Sequence, residues 1–210
     1  AIPNILTNLS IPLVSFVDIA LMGRMPASSY IVAIGLGTVI FNLIYWAFGF
    51  LRMGTTGMVS QAFGRGDIGE SHKLLKRSLL IGLLAGLFFI LLQSPIRQLS
   101  IYIMDPEQAV LEPLKLYFNY RIWAAPATIG TYAIVGWLLG MQDAKRAMII
   151  AVSVNVLNTV LSYVLVFNYG LSIKGVAMGT AISQYLGLAI SFFFIIKNYK
   201  IKLLDWRAIM

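Results

Sequence analysis

The sequence predicts an all-α, polytopic membrane protein whose six membrane-spanning helices form one bundle. Of its 210 residues, 59% are apolar and 11% are charged, and none is cysteine. A soluble domain carries about 25% charged residues, so this chain lacks the polar surface that a soluble or disordered protein needs. Its mean hydropathy of +0.84 indicates that lipid is the main solvent.

Six stretches are long enough to cross a bilayer, whose core of about 30 Å needs roughly 20 apolar residues in a helix. Only helices satisfy their own backbone over such lengths in lipid. The second stretch is too long for one straight crossing, so we expect it to bend or enter water near Gly54 and Gly57, and Pro126 predicts a kink in the fourth. The predicted spans are residues 2–22, 30–62, 78–96, 116–141, 147–169 and 175–196.

The charges between the spans predict the orientation of the chain. Ten cations follow spans two, four and six, whereas four follow spans one, three and five. The positive-inside rule then places both ends of this chain in the cytoplasm, and residues 197–210 become a basic, interfacial connector. Because the basic residues are explained by this asymmetry, no nucleic-acid partner is expected.

The motifs of common enzymes and metal centres are missing from the sequence. The chain has no cysteine and a single histidine, His72, so it cannot assemble a thiolate or imidazole cluster for zinc. It also lacks the HExxH, GxSxG and P-loop patterns. We therefore expect neither an enzyme nor a bound cofactor.

Asp18 is the only acidic residue inside any predicted span. A carboxylate at membrane depth is costly unless it is protonated, paired or hydrated, and acids kept in spans are usually functional. The alternatives are a structural ion pair, for which Arg121 in span four is the partner, or a position close enough to the surface for the carboxylate to stay hydrated. The other intramembrane cation, Arg52, is expected to lie toward the cytoplasmic end of span two and to snorkel to the interface.

Polar side chains from several spans are predicted to reach the outer half of the bundle at similar depths. Asn158 and Ser162, four residues apart, share one face of span five. A wet cavity explains this convergence, and hydrogen bonds that merely join helices are the alternative. The predicted lining residues are Tyr117, Arg121, Asn155, Asn158, Ser162 and Thr180. Three GxxxG patterns, at Gly82, Gly136 and Gly175, predict close helix packing.

At these residues the chain resembles the multidrug and toxic compound extrusion (MATE) family, in particular its DNA-damage-inducible F (DinF) branch. The opening span, with Pro3 ahead of Asp18 and Gly23, is similar to the first helix of the family. Residues 50–57, which read FLRMGTTG, and residues 61–64, which read QAFG, look like the signature of that branch. Residues 121–126, 136–140 and 175–180 match in order and spacing.

The resemblance implies one lobe of a twelve-helix transporter that exports organic cations or drugs in exchange for protons or sodium ions. Residues 1–196 would form the amino-terminal six-helix lobe, which works with a second lobe in the plasma or inner membrane. Asp18 would bind the coupling ion, Na⁺ included, and Pro3 and Pro12 would bend the first helix. Tyr117, Asn158 and Thr180 would line the pocket.

One position departs from the family pattern, and two other functions stay open. Many relatives have an acid four residues after the fifth-helix asparagine, where this chain has Ser162, so Asp18 would be the sole acid of the lobe. A flippase of similar architecture for a lipid-linked precursor would need more cations in its cavity than Arg121 alone. A non-transporting structural subunit would use the polar stripes only to dock helices.

Overall fold

The computed structural model describes Gly23 and residues 28–199. The first predicted span therefore lies outside the described residues, together with Pro3, Pro12, Asp18 and most of the predicted connector. Within the described ranges the chain is helical, with no strand. The helices are α1 Ser28–Trp46, α2 Gly49–Gly64, α3 Ile68–Leu91, α4 Gln93–Met104, α5 Gln108–Arg121, α6 Ala125–Gly140, α7 Ala144–Tyr163 and α8 Ser172–Tyr199.

Five helical segments of the described chain are long and apolar enough to cross a membrane, which confirms the predicted fold class. They correspond to predicted spans two to six, and each extends past its predicted ends at one side or both. Their bounds are Ser28–Gly64, Ile68–Leu91, Gln108–Gly140, Ala144–Asn168 and Ser172–Tyr199.

The long second span bends, but not where the sequence analysis placed the bend. The expected position near Gly54 and Gly57 is wrong, since both residues lie within the continuous helix α2. The break lies at Ala47 and Phe48, where the Phe48 amide donates to the carbonyl of Tyr45 at 3.0 Å. This bond spans three residues instead of four, which locally tightens the helix without a proline.

The fourth span is interrupted next to Pro126, as predicted. A proline has no amide hydrogen, and its ring clashes with the carbonyl four residues earlier, which here belongs to Ile122. The chain accordingly forms a 3₁₀ turn over Ile122–Ala124 between α5 and α6.

The third span also differs from its prediction. The helix begins at Ile68 rather than at residue 78, because Asp67 caps it by accepting a hydrogen bond of 2.8 Å from the amide of Glu70. It ends at Leu91, and the separate helix α4 follows, which has no buried residue.

Helix α6 is the centre of the bundle, and glycines bring its neighbours close to it. Thirteen of its 16 residues are buried. Gly86 of α3 faces Pro126 so closely that a side chain there would overlap the proline backbone. On the other side, a methyl group at Gly136 would lie 2.6 Å from the carbonyl oxygen of Arg52 in α2. The predicted role of these glycines in close packing is confirmed.

The outward faces of the helices are apolar. Exposed large hydrophobic side chains lie along α1, α3, α7 and α8, with Leu43, Leu84, Val160 and Phe193 each more than half exposed. Contiguous apolar surface of this kind marks a membrane-facing protein.

A cluster around Asp143 joins the start of α7 to the end of α8. Its carboxylate caps α7 by accepting from the amide of Arg146 at 3.2 Å, and it forms an ion pair with the Arg146 side chain. The hydroxyl of Tyr199, at the end of α8, donates to the same carboxylate. Burial alone would raise the pKa of Asp143, but the hydrogen bonds from Tyr199 and Arg146 outweigh burial and hold the pKa below its ordinary value.

Candidate functional site

Three of the predicted lining residues meet between α7 and α8, and we name Asn158, Ser162 and Thr180 the α7–α8 polar seam. The amide nitrogen of Asn158 donates to Thr180 Oγ1 at 2.8 Å, and Thr180 Oγ1 donates to the Val176 carbonyl at 2.9 Å. Asn158 is buried and Thr180 is half-buried. The seam is therefore a polar contact between two membrane-spanning segments.

Ser162 completes the seam from one helical turn further along α7. Its side chain is fully buried, and its Oγ has no hydrogen-bond partner within the described residues. Gly179 allows this approach, since a methyl group there would lie 2.6 Å from Ser162 Oγ. An unpaired buried hydroxyl is costly, so Ser162 Oγ keeps an unused capacity for a hydrogen bond. Asn155 extends the same stripe of α7 and is half-buried.

The other two predicted lining residues, Tyr117 and Arg121, contact α1. Tyr117 is 4% exposed and packs edge-on against Phe41, with 6.4 Å between ring centroids. Its ring fills the space above Gly37, where any side chain would collide with it.

Arg121 lies one helical turn after Tyr117 on α5. Its guanidinium carbon lies 5.3 Å from the ring centroid of Phe41 and 5.7 Å from that of Tyr45. Such cation–π contacts stabilise a charge that has left water. The Nη1 atom of Arg121 is shielded from solvent and has no hydrogen-bond partner among the residues described.

A cavity of about 510 Å³ opens at the break between α1 and α2. Half of its lining residues are aromatic, among them Tyr45, Trp46 and Phe50, and Arg52 supplies a positive charge. Tyr132 of α6 completes the wall.

Arg52 and Tyr132 are site residues that the sequence analysis missed. The structure places Arg52 on the wall of this cavity, and its expected position at the cytoplasmic interface stays a prediction. No spacing rule pointed to Tyr132, because it lies on an almost wholly apolar helix.

Asp18, Pro3 and Pro12 lie outside the described residues, so an ion pair between Asp18 and Arg121 stays a prediction. Within Gly23 and residues 28–199, no group of three or more histidine, cysteine or acidic side chains is placed to hold a metal ion.

Comparisons with known proteins agree with this architecture. The MatE family profile matches residues 3–164. DNA damage-inducible protein F of Escherichia coli (strain K12) is 33% identical over 202 residues, which cover 96% of this chain and 44% of that protein. Multidrug and toxin extrusion protein 1 of Oryctolagus cuniculus is 26% identical over 200 residues, covering 94% of this chain and 35% of that protein.

Two solved structures show the same fold. The crystal structure of MATE in complex with MaL6 superposes with a TM-score of 0.88 at 21% identity, covering 100% of this chain and 46% of that chain. The outward-facing conformation of a multidrug resistance MATE family transporter superposes with a TM-score of 0.86 at 23% identity, with the same two coverages. The chain spans less than half the length of each of these four proteins. Since the MatE profile matches most of the sequence and the fold agrees, the chain belongs to the MATE family of transporters.

Proposed function

We propose that this chain is one lobe of a secondary active antiporter that exports organic cations or drugs in exchange for protons or sodium ions. Two relatives carry names that support export, the rabbit multidrug and toxin extrusion protein 1 and the multidrug export protein MepA of Staphylococcus aureus. The observation that carries the proposal is the α7–α8 polar seam, where polar side chains of two membrane-spanning helices meet inside the bundle.

The seam offers neutral polar groups rather than charges. Asn158 and Thr180 are held in place by their mutual hydrogen bond, and the unpaired hydroxyl of Ser162 lies one turn away. Such groups orient a cargo by hydrogen bonds while the apolar wall accepts its hydrophobic body. In this mechanism Asp18 carries the charge that differs between the cargo-loaded and the empty transporter.

Asp18 is proposed to exchange one small cation for the cargo. A proton or Na⁺ that binds the carboxylate removes the negative charge that attracts a cationic cargo, so the cargo leaves. Linkage makes this coupling reciprocal. If protonation weakens the binding of the cargo, then bound cargo must weaken the binding of the proton by the same factor. Pro3 and Pro12 would allow the first helix to bend when the charge changes.

Close helix packing supports alternating access by a rigid lobe. Helix α6 touches α3 and α2 backbone to backbone at glycines, which leaves little room for the helices to slide. We therefore propose that residues 1–196 rock as a unit against a second six-helix lobe, as inverted or repeated halves do in other transporters. The positive-inside bias places both ends of this chain on the cytoplasmic side of the plasma or inner membrane.

The test is transport by the whole protein in vesicles. Uptake of ethidium, an organic cation, is measured under a proton gradient and separately under a sodium gradient, in the parent and in Asp18→Asn. We expect one of the two gradients to drive transport in the parent and neither to do so in Asp18→Asn. Asp105→Asn is the matched control, because Asp105 is an exposed acid that ends α4 in a left-handed conformation that asparagine also adopts.

Gradient-driven transport that is undiminished in a correctly inserted Asp18→Asn protein would overturn the role of Asp18. A structural subunit gives a different result, since loss of Asp18 would then reduce assembly. Size-exclusion chromatography of the same variants separates the two functions, and the antiporter predicts unchanged assembly.

A further inference from the structure

The cavity between α1 and α2 has one positive charge at its wall and a second one close behind it. Arg52 lines the cavity, and the guanidinium carbon of Arg121, which does not line it, lies 5.7 Å from the ring centroid of the wall residue Tyr45. Neither arginine forms an ion pair with any residue of the described ranges. The predicted spans of this chain hold a single acid, Asp18.

The backbone of Arg52 and the guanidinium group of Arg121 are held in place by their surroundings. The backbone of Arg52 is fixed against α6, because Thr56 Oγ1 lies 2.9 Å from the carbonyl oxygens of both Arg52 and Gly136. Arg121 is held between the rings of Phe41 and Tyr45, and its Nη1 has no hydrogen-bond partner among the residues described. A guanidinium with unused donors in an apolar surrounding favours a carboxylate, sulfonate or phosphate, which accept two parallel hydrogen bonds.

The walls of the cavity determine which class of molecule can carry the anionic group. Tyr45, Trp46, Phe50 and Tyr132 present aromatic surface, and the volume of about 510 Å³ is that of a site for a small organic molecule. An inorganic anion would leave this apolar surface in contact with water, whereas an amphiphile would cover it.

We propose that the cavity at the α1–α2 break binds the anionic headgroup of an amphipathic solute through Arg52 at its wall, and that the positive charge of Arg121 behind Tyr45 strengthens this binding. The proposal rests on the transport function proposed above and extends its cargo to amphiphiles that carry an acidic group. A lipid headgroup in the surrounding membrane and a free amphipathic acid share this chemistry, and the experiment distinguishes them.

The experiment measures binding to the purified whole protein in phosphatidylcholine nanodiscs. The probe is dansylaminoundecanoate, a fluorescent amphipathic carboxylate, and its counterpart is the same dansyl-alkyl chain ending in a trimethylammonium group. We expect Arg52→Gln to weaken binding of the carboxylate by at least about tenfold, since a hydrogen bond to a charged group contributes that much. Binding of the trimethylammonium probe should not weaken.

Three further variants make the test specific. Arg52→Lys keeps the charge without the planar fork and should retain part of the affinity. Arg121→Gln should also weaken binding of the carboxylate probe. If the variant at the buried Arg121 fails to fold, Arg52→Gln keeps the test valid. Arg65→Gln removes the same charge at the exposed end of α2 and should leave binding unchanged.

Phosphatidylglycerol added to the nanodiscs identifies the source of the anion. If it displaces the carboxylate probe, the site takes a lipid headgroup, and if it does not, the site takes a free amphipathic acid. Unchanged carboxylate affinity in both Arg52→Gln and Arg121→Gln, or an equal loss for both probes in Arg52→Gln, overturns the proposal. Ion-coupled ethidium transport together with absent carboxylate binding would overturn this inference alone, whereas uncoupled transport would overturn the proposed function and leave the binding result standing.

Discussion

Asn158 and Thr180, 22 residues apart in the sequence, share a hydrogen bond of 2.8 Å that joins α7 to α8 inside the bundle. Both residues belong to segments that are otherwise apolar enough to cross a membrane. The bond satisfies two polar groups that lipid would leave unpaired, and it positions them beside the buried hydroxyl of Ser162.

Breaking this bond should weaken cargo binding more than it weakens the fold. Interhelical hydrogen bonds in membranes contribute only about 0.6 kcal/mol on average, so Thr180→Val should lower the free energy of unfolding by about that amount. The apparent affinity for ethidium should fall by severalfold because Asn158 loses its orientation. Thermal unfolding in detergent and transport kinetics measure the two effects.

Thr38→Val is the matched control for this variant, because Thr38 bonds only to the carbonyl of Ile34 in its own helix. If Thr38→Val changed ethidium affinity as much as Thr180→Val did, the α7–α8 polar seam would lose its role in binding.

Much of the architecture could be predicted from the sequence, because a helix that crosses lipid needs roughly 20 apolar residues. Five predicted spans overlap long apolar helical segments of the described chain, and the interruption at Pro126 follows from the chemistry of proline. The depth of Asn158 and Thr180 also followed from their distance to the loops. Their adjacency is what the structure shows, and their role in binding cargo stays a prediction.

The rotation of each helix about its axis could not be predicted in the same way. Tyr117 and Arg121 were predicted to line a pocket with Asn158 and Thr180, yet they contact Phe41 of α1, where Gly37 leaves a space that the Tyr117 ring fills. The break at Ala47 and Phe48 was missed for a related reason, since no proline marks it and tertiary packing decides where a long helix bends.

Gly136→Ala should destabilise the lobe. The added methyl group would lie 2.6 Å from the carbonyl oxygen of Arg52, so α2 and α6 must separate, at a cost of about 1–3 kcal/mol. Gly35→Ala is the control, because no atom lies within 4 Å of the methyl group it adds and alanine favours the helix by about 1 kcal/mol. Thermal unfolding in detergent should rank Gly35→Ala at or above the parent and Gly136→Ala below it. The opposite order would contradict the packing described for α2 and α6.

The cluster around Asp143 should make stability depend on acid. The folded-state pKa of Asp143 lies below its ordinary value of 3.8, so its contribution is complete above that value and is lost as the pH falls through the folded-state pKa. Tyr199→Phe removes one hydrogen bond to the carboxylate and should lower the free energy of unfolding near neutral pH by about 1–2 kcal/mol.

The difference between the unfolding midpoints of the parent and Tyr199→Phe should be largest near neutral pH and should disappear in acid. Tyr169→Phe is the control, because Tyr169 is 70% exposed. A difference between parent and Tyr199→Phe that stays constant at all pH values would show that the hydrogen bond to the charged carboxylate is not the cause.

The most direct test of the antiport mechanism is the ion released when cargo binds. Tetraphenylphosphonium is titrated into the purified whole protein, once in weakly buffered medium to record proton release and once with a sodium electrode. Reciprocal coupling predicts that binding expels one of these ions from the parent, and that Asp18→Asn binds the same cation with no release of either ion. Equal release from Asp18→Asn and parent, or cargo binding to the parent without release of protons or Na⁺, would contradict the account.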